Sequence, residues 1–406
     1  MKNGKLILFA TIIYLISGIS CSENSKLPPV PWSVKMAESE MKRSPQAWML
    51  DFSKDLKWNY CHGLVCLAML ETDSHYHTDR FYKYVKQYAD TMILENGNII
   101  GYRINDYTLS GINPGRILFP LYNREKAEKY LSALHLLRTQ FDTHPRTSEG
   151  GLWHKEITTS QIWLDGVYMA LPFYAEYAHM CKEPEIFEDI LLQLELIRKY
   201  HYDETTGLYR HGWDESGQEQ WSDTTGKSPC VWGRSLGWFA MGLIDLPDFI
   251  PDNHPKREFV LRLYKELMEA LLHYQDEKSG VWYQITDKPT EKGNYPESSA
   301  SCMFTFALLK GLRMGYLEES FFIPSQKAYQ GILDLFITQN KDHTVNIIQC
   351  CEVGGLGGKP YRDGSYEYYI NIPQRDNDPK AVGSFIRASL EWEKLMEMKT
   401  NEHTEK

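Results

Sequence analysis

Apolar residues in this chain are grouped into runs of helical length, and these runs are of two kinds. In the first kind almost every position is apolar; these runs are Leu64 to Leu70, Ile117 to Tyr122, Trp163 to Ala178, Trp232 to Leu246, Ala300 to Met314 and Val382 to Met396. In the second kind apolar and polar positions alternate with a helical period; these are His75 to Ile93, Lys126 to Phe141, Glu185 to His201, Lys256 to Gln275 and Pro324 to Thr338. A helix that is apolar on all sides is buried, whereas an amphipathic helix keeps one face in water. The two kinds alternate about six times, which predicts an all-α domain of paired inner and outer helices.

Four turns between the predicted helices share a glycine followed by aromatic and polar residues, which indicates an internal repeat. They are Gly101-Tyr102-Arg103, Gly151-Leu152-Trp153-His154, Gly207-Leu208-Tyr209-Arg210-His211 and Gly280-Val281-Trp282-Tyr283. Their glycines are 50, 56 and 73 residues apart, and such spacings suit helical hairpins that carry insertions. Each hairpin buries its apolar face only against its neighbours, so about six of them can close into a toroid. The glycine turns would then meet at one end of the toroid and line a pocket.

The first residues have the pattern of an export signal. Lys2 and Lys5 precede an apolar run from Leu6 to Ile16, which is too short to span a bilayer comfortably. Small residues then lead to Ser20-Cys21, in a sequence that is similar to a relaxed bacterial lipobox. We therefore expect Cys21 to carry a lipid and to anchor the protein in the bacterial cell envelope, facing the periplasm or on the outer membrane. An ordinary cleaved signal followed by a coincidental cysteine is the alternative.

The rest of the chain shows no low-complexity linker until its polar end. The sequence thus predicts a signal peptide at residues 1–20, a tether at 21–31, one catalytic domain at 32–398 and a polar tail at 399–406. Seven cysteines follow Cys21, an odd number that cannot pair completely within one chain, and we interpret most of them as small buried hydrophobic residues. No cysteine or histidine cluster has the spacing of a metal site, so no metal is expected.

The amino-acid composition indicates which kinds of ligand the protein binds. A net charge of −10 without a basic stretch argues against nucleic acid as a partner. Aromatic residues make up 13% of the chain, with 11 Trp and 26 Tyr, and many of these Trp stand beside His, Asp, Arg or Gly. Such flat, partly polar surfaces suit a sugar, because a pyranose ring has an apolar face edged with hydroxyl groups. The alternative is that the aromatic residues only fill the core of a large helical protein.

Asp165 is the strongest candidate for a catalytic acid, because it begins a predicted helix among aromatic residues. The helix dipole lowers the pKa of a carboxyl group at this position, whereas burial against Trp153 and Trp163 raises it. A general acid that works near neutral pH needs the effect of burial to prevail. The alternative is an N-cap residue without a chemical role.

A second polar and aromatic cluster lies around His211, Trp232 and Arg234. A helix that begins near Gly233 would let Trp232 and Arg234 reach the same pocket, where the planar guanidinium could hold a carboxylate. The alternative is a surface ion pair beside core tryptophans.

Motifs spread over residues 55 to 395 resemble those of one enzyme family. They are Trp58-Asn59-Tyr60, Ile112-Asn113-Pro114-Gly115-Arg116, Pro145-Arg146-Thr147 with Gly150-Gly151-Leu152-Trp153-His154-Lys155, Trp163-Leu164-Asp165-Gly166, Trp232-Gly233-Arg234 with Gly237-Trp238, Glu297-Ser298-Ser299-Ala300, and Gly357-Gly358-Lys359-Pro360-Tyr361-Arg362-Asp363-Gly364-Ser365. The family is the unsaturated rhamnogalacturonyl hydrolases, glycoside hydrolase family 105, which is related to the unsaturated glucuronyl hydrolases of family 88. The resemblance implies an (α/α)6 barrel and an exo-acting monomer or weak homo-oligomer that uses no metal and no cofactor.

By position, the resemblance implies that Asp165 is the catalytic residue. It implies substrate binding by Tyr60, His154, Lys155, Trp163, Met169, His211, Trp232, Arg234 and Trp238. One position departs from the family pattern, because Ser110 stands where the family usually has a second Asp. Asp106 could replace that carboxyl group, or the substrate preference or activity of the enzyme could be changed.

The resemblance also implies an unusual hydrolysis that needs only one carboxyl group. The substrate would be a pectin-type fragment made by a lyase, with a C4=C5 double bond in its terminal uronic acid. Such a sugar is an enol ether, so protonation at C4 creates an oxocarbenium ion at C5 that water can trap. Two alternatives remain: an ordinary glycosidase or epimerase on the same fold, and a sugar-binding lipoprotein that has lost its activity.

Overall fold

The structure is a computed structural model, and it describes residues 30–404. Its helices are α1 Trp32–Arg43, α2 Tyr60–Tyr76, α3 Arg80–Met92, α4 Leu118–Glu125, α5 Glu128–Thr143, α6 Gly166–Cys181, α7 Ile186–His201, α8 Gly233–Asp245, α9 Arg257–His273, α10 Ser298–Arg313, α11 Phe322–Phe336, α12 Tyr366–Ile370 and α13 Pro379–Thr404. Four short antiparallel ribbons lie in the loops. They pair β1 Gln161–Trp163 with β4 Gly212–Asp214, β2 Tyr202–Asp203 with β3 Leu208–Tyr209, β5 Ile337–Gln339 with β6 Val345–Ile347, and β7 Cys350–Cys351 with β8 Gln374–Arg375.

Six helices form a closed inner ring. In ring order they are α2, α4 with the 3-10 turn Asn113–Ile117 that precedes it, α6, α8, α10 and α13, and α13 packs again on α2. Each inner helix carries an outer partner: α3, α5, α7, α9 and α11 follow the first five, and α1 packs outside α13. The alternation of apolar and amphipathic runs in the sequence thus corresponds to inner and outer helices.

The outer helix α3 shows why the sequence folds in this way. Its buried side chains Phe81, Tyr84, Val85, Tyr88 and Met92 recur every three or four residues and face the ring. In the inner helix α6, by contrast, nearly every residue from Gly166 to Ala178 is buried. The inner helices therefore contact apolar groups on every side, and the outer helices separate them from water.

All inner helices run in the same direction, because each returns to the ring through an outer helix. Their N-termini meet at one end of the barrel, where the glycine turns and the β1–β4 ribbon also lie. The positive ends of several helix dipoles therefore point toward this end, which favours an anionic ligand there.

A buried network of charges lies between the inner helices toward the opposite end, which we call the closed end. Asp245 accepts hydrogen bonds from Arg116 at 2.9 Å, from Lys310 at 2.8 Å and from Arg387 at 3.0 and 3.1 Å. Arg387 also binds Glu71 through two contacts of 2.9 Å. Burial raises the pKa of Asp245, but the three cations outweigh it and hold the pKa well below its ordinary range.

Several predictions about the ends and the cysteines can be compared with the described residues. Cys21 and the predicted signal peptide lie outside them. Helix α13 continues to Thr404, so residues 399–404 of the predicted polar tail belong to the last turns of this helix. The cysteines from Cys61 onward are free thiols, and all except the half-buried Cys181 are buried. No helix within residues 30–404 is both long and apolar enough to cross a bilayer.

Candidate active site

The β1–β4 ribbon brings Asp165 and His211 together. Trp163 of β1 lies opposite Gly212 of β4, and the Leu164 N–H donates to the His211 carbonyl over 2.9 Å. The chain leaves β1 after Trp163 and enters α6 at Gly166, so Asp165 is the N-cap residue of this helix. Its side chain makes no capping hydrogen bond and is free to face His211.

Asp165 and His211 form the polar centre of the pocket. His211 Nε2 lies 3.2 Å from Asp165 Oδ2, and neither atom has an aligned hydrogen-bond partner among residues 30–404. On the other side of the ring, Nδ1 of His211 is 2.6 Å from the Tyr369 hydroxyl. The carboxylate can only accept, so we assign a proton to Nε2 of His211, the ring nitrogen nearest Asp165.

The pKa of Asp165 is lowered in the ligand-free enzyme. Burial is the largest influence and raises it, but the adjacent His211 opposes burial most strongly, and the pKa lies below its ordinary value. Burial was expected to prevail at this carboxyl group, and the contact with His211 explains why it does not. Asp165 is therefore a carboxylate at neutral pH before substrate binds, with 14% of its side chain exposed.

Aromatic rings enclose this centre. Trp163 stacks on His154 with their ring centres 4.4 Å apart, and its edge meets His211 at 5.1 Å. Trp232 lies 4.8 Å from His211 on the other side and stacks on Tyr369 at 5.4 Å. Burial lowers the pKa of His154 to about 3, so this ring is neutral and adds a flat surface rather than a charge.

Two cations reach the same pocket from different loops. Burial and the neighbouring Arg362 lower the pKa of Lys155, whereas Asp165 opposes this effect. The Arg362 side chain donates to the Gly357 carbonyl at 2.8 Å and packs against Gly355, where a Cβ atom would clash with Nη1. Lys155 and Arg362 thus add positive charge on the side of the barrel where Asp165 lies.

Arg234, which was predicted to bind a substrate carboxylate, makes hydrogen bonds within the protein. Its Nε donates to Ser299 at 2.8 Å, Nη1 donates to the Glu352 carbonyl at 2.6 Å, and Nη2 contacts Glu297 and the Cys350–Cys351 strand. Only 1% of its side chain is exposed. Each nitrogen of the guanidinium is therefore engaged by the protein, and Arg234 ties α8 to α10 and β7 rather than presenting a free fork.

The other predicted binding residues lie deeper. Tyr60 is the first residue of α2, and its ring meets the edge of Trp238 at 5.9 Å. Trp238 is buried and stacks on Tyr168 at 4.9 Å. Met169, in the first turn of α6, is likewise part of the main hydrophobic core. Tyr60, Trp238 and Met169 therefore pack within the barrel.

Ser110 and Asp106, the two positions considered for a second carboxyl group, lie in different surroundings. Ser110 is half-buried in the turn Leu109–Gly111, and the Leu109 N–H donates to the His154 carbonyl at 3.2 Å, so this turn borders the pocket. Asp106 is exposed and forms an ion pair with Arg103 at 3.1 Å. Asp106 thus faces solvent and pairs with Arg103, whereas Ser110 stands in the turn that borders the pocket.

Tyr369 and Arg362 were not identified as site residues from the sequence. Arg362 belongs to a motif quoted for the resemblance, and that motif was the one available signal for it. Tyr369 follows four residues after the motif and contacts His211 across 158 positions of the chain, which no local pattern reveals. Among residues 30–404 there is no group of three or more His, Cys, Asp or Glu side chains arranged for a metal ion.

Known proteins resemble this chain in sequence and in structure. The sequence profile of Glycosyl Hydrolase Family 88 matches residues 32–396. A glycoside hydrolase from family 105 of C. acetobutylicum is similar in structure, with 40% sequence identity, a TM-score of 0.86 and coverage of 89% of this chain and 99% of the other.

More distant relatives agree with these matches. The unsaturated rhamnogalacturonyl hydrolase YesR of Bacillus subtilis is 27% identical over 277 residues, which are 66% of this chain and 76% of YesR. The unsaturated glucuronyl hydrolase of Bacillus sp. GL1, at 13% identity, shares the fold with a TM-score of 0.63 over 89% of this chain and 95% of that one. The predicted family, barrel and enzyme class are confirmed: this chain is an (α/α)6-barrel glycoside hydrolase and belongs to the group formed by families 88 and 105.

Proposed function

We propose that this hydrolase removes a 4,5-unsaturated uronic acid from the non-reducing end of pectin-type oligosaccharides, and that Asp165 protonates C4 of that sugar. The observation that carries the proposal is the Asp165 carboxyl group beside His211, enclosed by the rings of Trp163 and Trp232. A usual glycosidase needs two carboxyl groups at a fixed distance, whereas protonation of an enol ether needs one acid.

The two cations explain how an unsaturated uronate would be oriented. Its carboxylate is conjugated with the C4=C5 bond, so binding between Lys155 and Arg362 fixes the plane of the reacting carbons. Trp163 and Trp232 are buried and pack on His211 at 5.1 and 4.8 Å, so they hold the imidazole in place beside Asp165. The N-termini of the inner helices add positive potential at this end of the barrel.

The reaction needs one proton to be delivered and one to be taken back. Binding of an anionic substrate and loss of the remaining water raise the pKa of Asp165, because a like charge and desolvation both disfavour the carboxylate. The protonated carboxyl then forms the new C4–H bond, and the oxocarbenium ion at C5 is attacked by water. Asp165 takes the proton of that water, the hemiketal opens to a ketone at C5, and the hemiacetal left at C1 releases the aglycone.

The substrate class follows from the relatives and from the source of the double bond. YesR is an unsaturated rhamnogalacturonyl hydrolase, which supports unsaturated galacturonyl-rhamnose or a related disaccharide unit as the substrate. A lipid anchor at Cys21 belongs to the same proposal, since an anchored enzyme would meet such fragments at the cell envelope.

Replacing Asp165 with Asn tests the chemistry, because the amide keeps the shape of the side chain but cannot donate an acidic proton. We expect the Asp165→Asn variant to bind unsaturated disaccharide and to lose turnover by about two to four orders of magnitude. Turnover is measured by loss of the ultraviolet absorbance of the conjugated double bond. Asp106→Asn is the matched control, since Asp106 is exposed and paired with Arg103, and it should keep wild-type activity.

Reaction in deuterated water separates this mechanism from an ordinary glycosidase. The wild-type enzyme should place deuterium at C4 of the released keto-sugar, analysed before any later exchange. A product without deuterium at C4, or near-normal turnover by Asp165→Asn, would rule out protonation of C4 by Asp165. Binding without turnover of any unsaturated oligosaccharide by the wild type would instead indicate a sugar-binding lipoprotein.

A further inference from the structure

The indole of Trp163 packs on both histidines that lie near Asp165. It stacks on His154 with the ring centres 4.4 Å apart, and its edge meets His211 at 5.1 Å. Only 6% of Trp163 is exposed, so its position is set by contacts within the protein. Any group that holds this indole therefore also affects where His211 lies relative to the Asp165 carboxyl.

Two hydrogen bonds in series hold the indole. The Nε1–H of Trp163 donates to Gln161 Oε1 at 2.9 Å, and Gln161 Nε2 donates to Glu219 Oε1 at 3.0 Å. Gln161 exposes 3% of its surface, so both contacts of its amide lie in the interior, where a lost partner is costly. We refer to Trp163, Gln161 and Glu219 as the indole relay.

The two ends of the indole relay fix the direction of its hydrogen bonds. An indole N–H can only donate and a carboxylate can only accept, whereas the amide of Gln161 can turn either way. Because Glu219 accepts, the amide nitrogen faces Glu219 and the amide oxygen faces Trp163. Without the carboxylate the amide is free to turn, and its nitrogen would then face the indole N–H, donor against donor.

Glu219 is itself held by two parts of the chain. Gln161 lies opposite Asp214 in the β1–β4 ribbon, and the Asp214 carboxylate accepts the Glu219 backbone N–H at 3.0 Å, which brings the segment after β4 back to Gln161. The Tyr361 hydroxyl donates to Glu219 Oε2 at 3.3 Å and accepts the Trp221 backbone N–H at 3.1 Å. The carboxylate is therefore fixed in the ligand-free enzyme.

We propose that Glu219 is a positioning residue of the active site: through Gln161 it holds Trp163, and through Trp163 it keeps His211 beside Asp165. This inference rests on the proposed function, in which Asp165 delivers the proton. Within residues 30–404 no hydrogen bond or ion pair joins the Glu219 side chain to Asp165 or His211, so its effect passes through the indole relay. Loss of Glu219 should therefore slow proton transfer more than it weakens substrate binding.

Substitution of Glu219 tests the indole relay. Glu219→Ala should lower kcat on an unsaturated disaccharide about tenfold with little change in KM, since the Gln161 amide loses its fixed direction. Glu219→Gln should restore most of the rate, because its amide oxygen still accepts from Gln161. Glu393→Ala is the matched control and should keep wild-type activity. Glu393 is also half-buried and accepts from a tyrosine hydroxyl, that of Tyr76 at 2.9 Å, but it joins α13 to α2 toward the closed end.

A double-mutant cycle shows whether Glu219 acts through Gln161. Gln161→Leu removes both hydrogen bonds of the amide and keeps a side chain of similar size. If the two residues form one relay, Gln161→Leu/Glu219→Ala should be no slower than the slower single variant. Losses that add in full would mean that the residues act independently and would overturn the proposal. Wild-type kcat in Glu219→Ala, or an equal loss in Glu219→Gln, would overturn it as well.

The indole N–H signal of Trp163 gives a measurement that needs no substrate. In a proton–nitrogen correlation spectrum it is the indole signal that is missing from Trp163→Phe. It should shift in Glu219→Ala and return close to its wild-type position in Glu219→Gln, and an unchanged signal in Glu219→Ala would contradict the positioning role. Absence of wild-type turnover on every unsaturated disaccharide would remove the proposed function, whereas this signal would still show whether Glu219 holds Trp163.

Discussion

At the scale of single residues, the contact between Tyr369 and His211 decides how His211 faces Asp165. The hydroxyl holds Nδ1 at 2.6 Å, which places Nε2 3.2 Å from the Asp165 carboxylate. The ring of Tyr369 also stacks on Trp232, and this contact does not require the hydroxyl group. Tyr369 is therefore a positioning residue whose polar and aromatic parts can be tested separately.

We expect Tyr369→Phe to lower kcat about tenfold with little change in KM, because His211 loses its orienting hydrogen bond while the stacked ring remains. His211 also lowers the pKa of Asp165. If His211 turns away, the pKa of Asp165 rises, and because Asp165 must be protonated to act as the acid, the basic limb of the kcat/KM profile should move to higher pH. Tyr264→Phe is the control, since it removes a buried hydroxyl bonded to the Ala307 carbonyl in another hairpin. An unchanged pH profile in Tyr369→Phe would contradict the positioning role.

Much of the pocket could be predicted from residue types and their neighbours. Asp165, His154, Trp163, His211 and Trp232 stand in conspicuous clusters of the sequence, and the structure brings their side chains into contact. The use of Arg234 could not be predicted in this way. A guanidinium suits a substrate carboxylate and an internal network equally well, and only the contacts distinguish them.

At the scale of elements, most inner helices were predictable because a long run of apolar residues with helical length is stable mainly as a buried helix. The ends of helices were less predictable where a short turn interrupts a helical pattern. The amphipathic run from His75 to Ile93 was predicted as one segment, but α2 ends at Tyr76 and α3 begins only at Arg80. His77 and Asp79 adopt left-handed backbone conformations between them, which polar side chains permit without a glycine. The short β1–β4 ribbon was not predicted, since three-residue strands leave no periodic signal.

The turn Leu109–Gly111 is the element that departs from the family pattern. It lies against the pocket through the Leu109 contact with His154, so a carboxyl group at Ser110 would be close to the substrate. We expect Ser110→Asp to change kcat/KM on at least one unsaturated disaccharide by about tenfold, or 1.4 kcal/mol in transition-state stabilisation. The measurement is a panel of disaccharides from rhamnogalacturonan, homogalacturonan, glycosaminoglycan and ulvan lyases. Indifference across the whole panel would mean that Ser110 does not contact the substrate.

At the scale of the whole molecule, the two ends of the barrel are electrostatically different. Helix N-termini and the pair Lys155 and Arg362 make the open end attractive to an anion. At the closed end, cations and carboxylates from several inner helices neutralise each other around Asp245. The ring closure was predictable from the repeat of hairpins, but the charge network was not, because its members are spread over most of the chain.

Glu176 on α6 belongs to the closed end and has an unusual pKa. Burial raises the pKa of its carboxyl to about 8; Arg116 opposes this, and Asp245, Glu71 and Asp248 reinforce it. A folded-state pKa above the unfolded value of about 4.5 means that the folded protein binds the additional proton between these two pH values. The stability contributed by the neutral carboxyl is therefore fully present below about pH 4.5 and is lost as the pH rises through about 8.

We expect Glu176→Gln to keep the neutral hydrogen-bonding group and to remove this pH dependence. Its Tm should be close to that of the wild type at about pH 5 and several degrees higher at about pH 9, where the wild type must bury an ionised carboxylate among other acids. Thermal unfolding followed by circular dichroism at both pH values measures the difference. Glu204→Gln, in the exposed turn between β2 and β3, should show the same small effect at each pH. A Glu176→Gln variant that raises Tm equally at both pH values would mean that Glu176 is already ionised in the folded protein at pH 5. The charge network at the closed end would then tolerate a fourth carboxylate beside Asp245, Glu71 and Asp248.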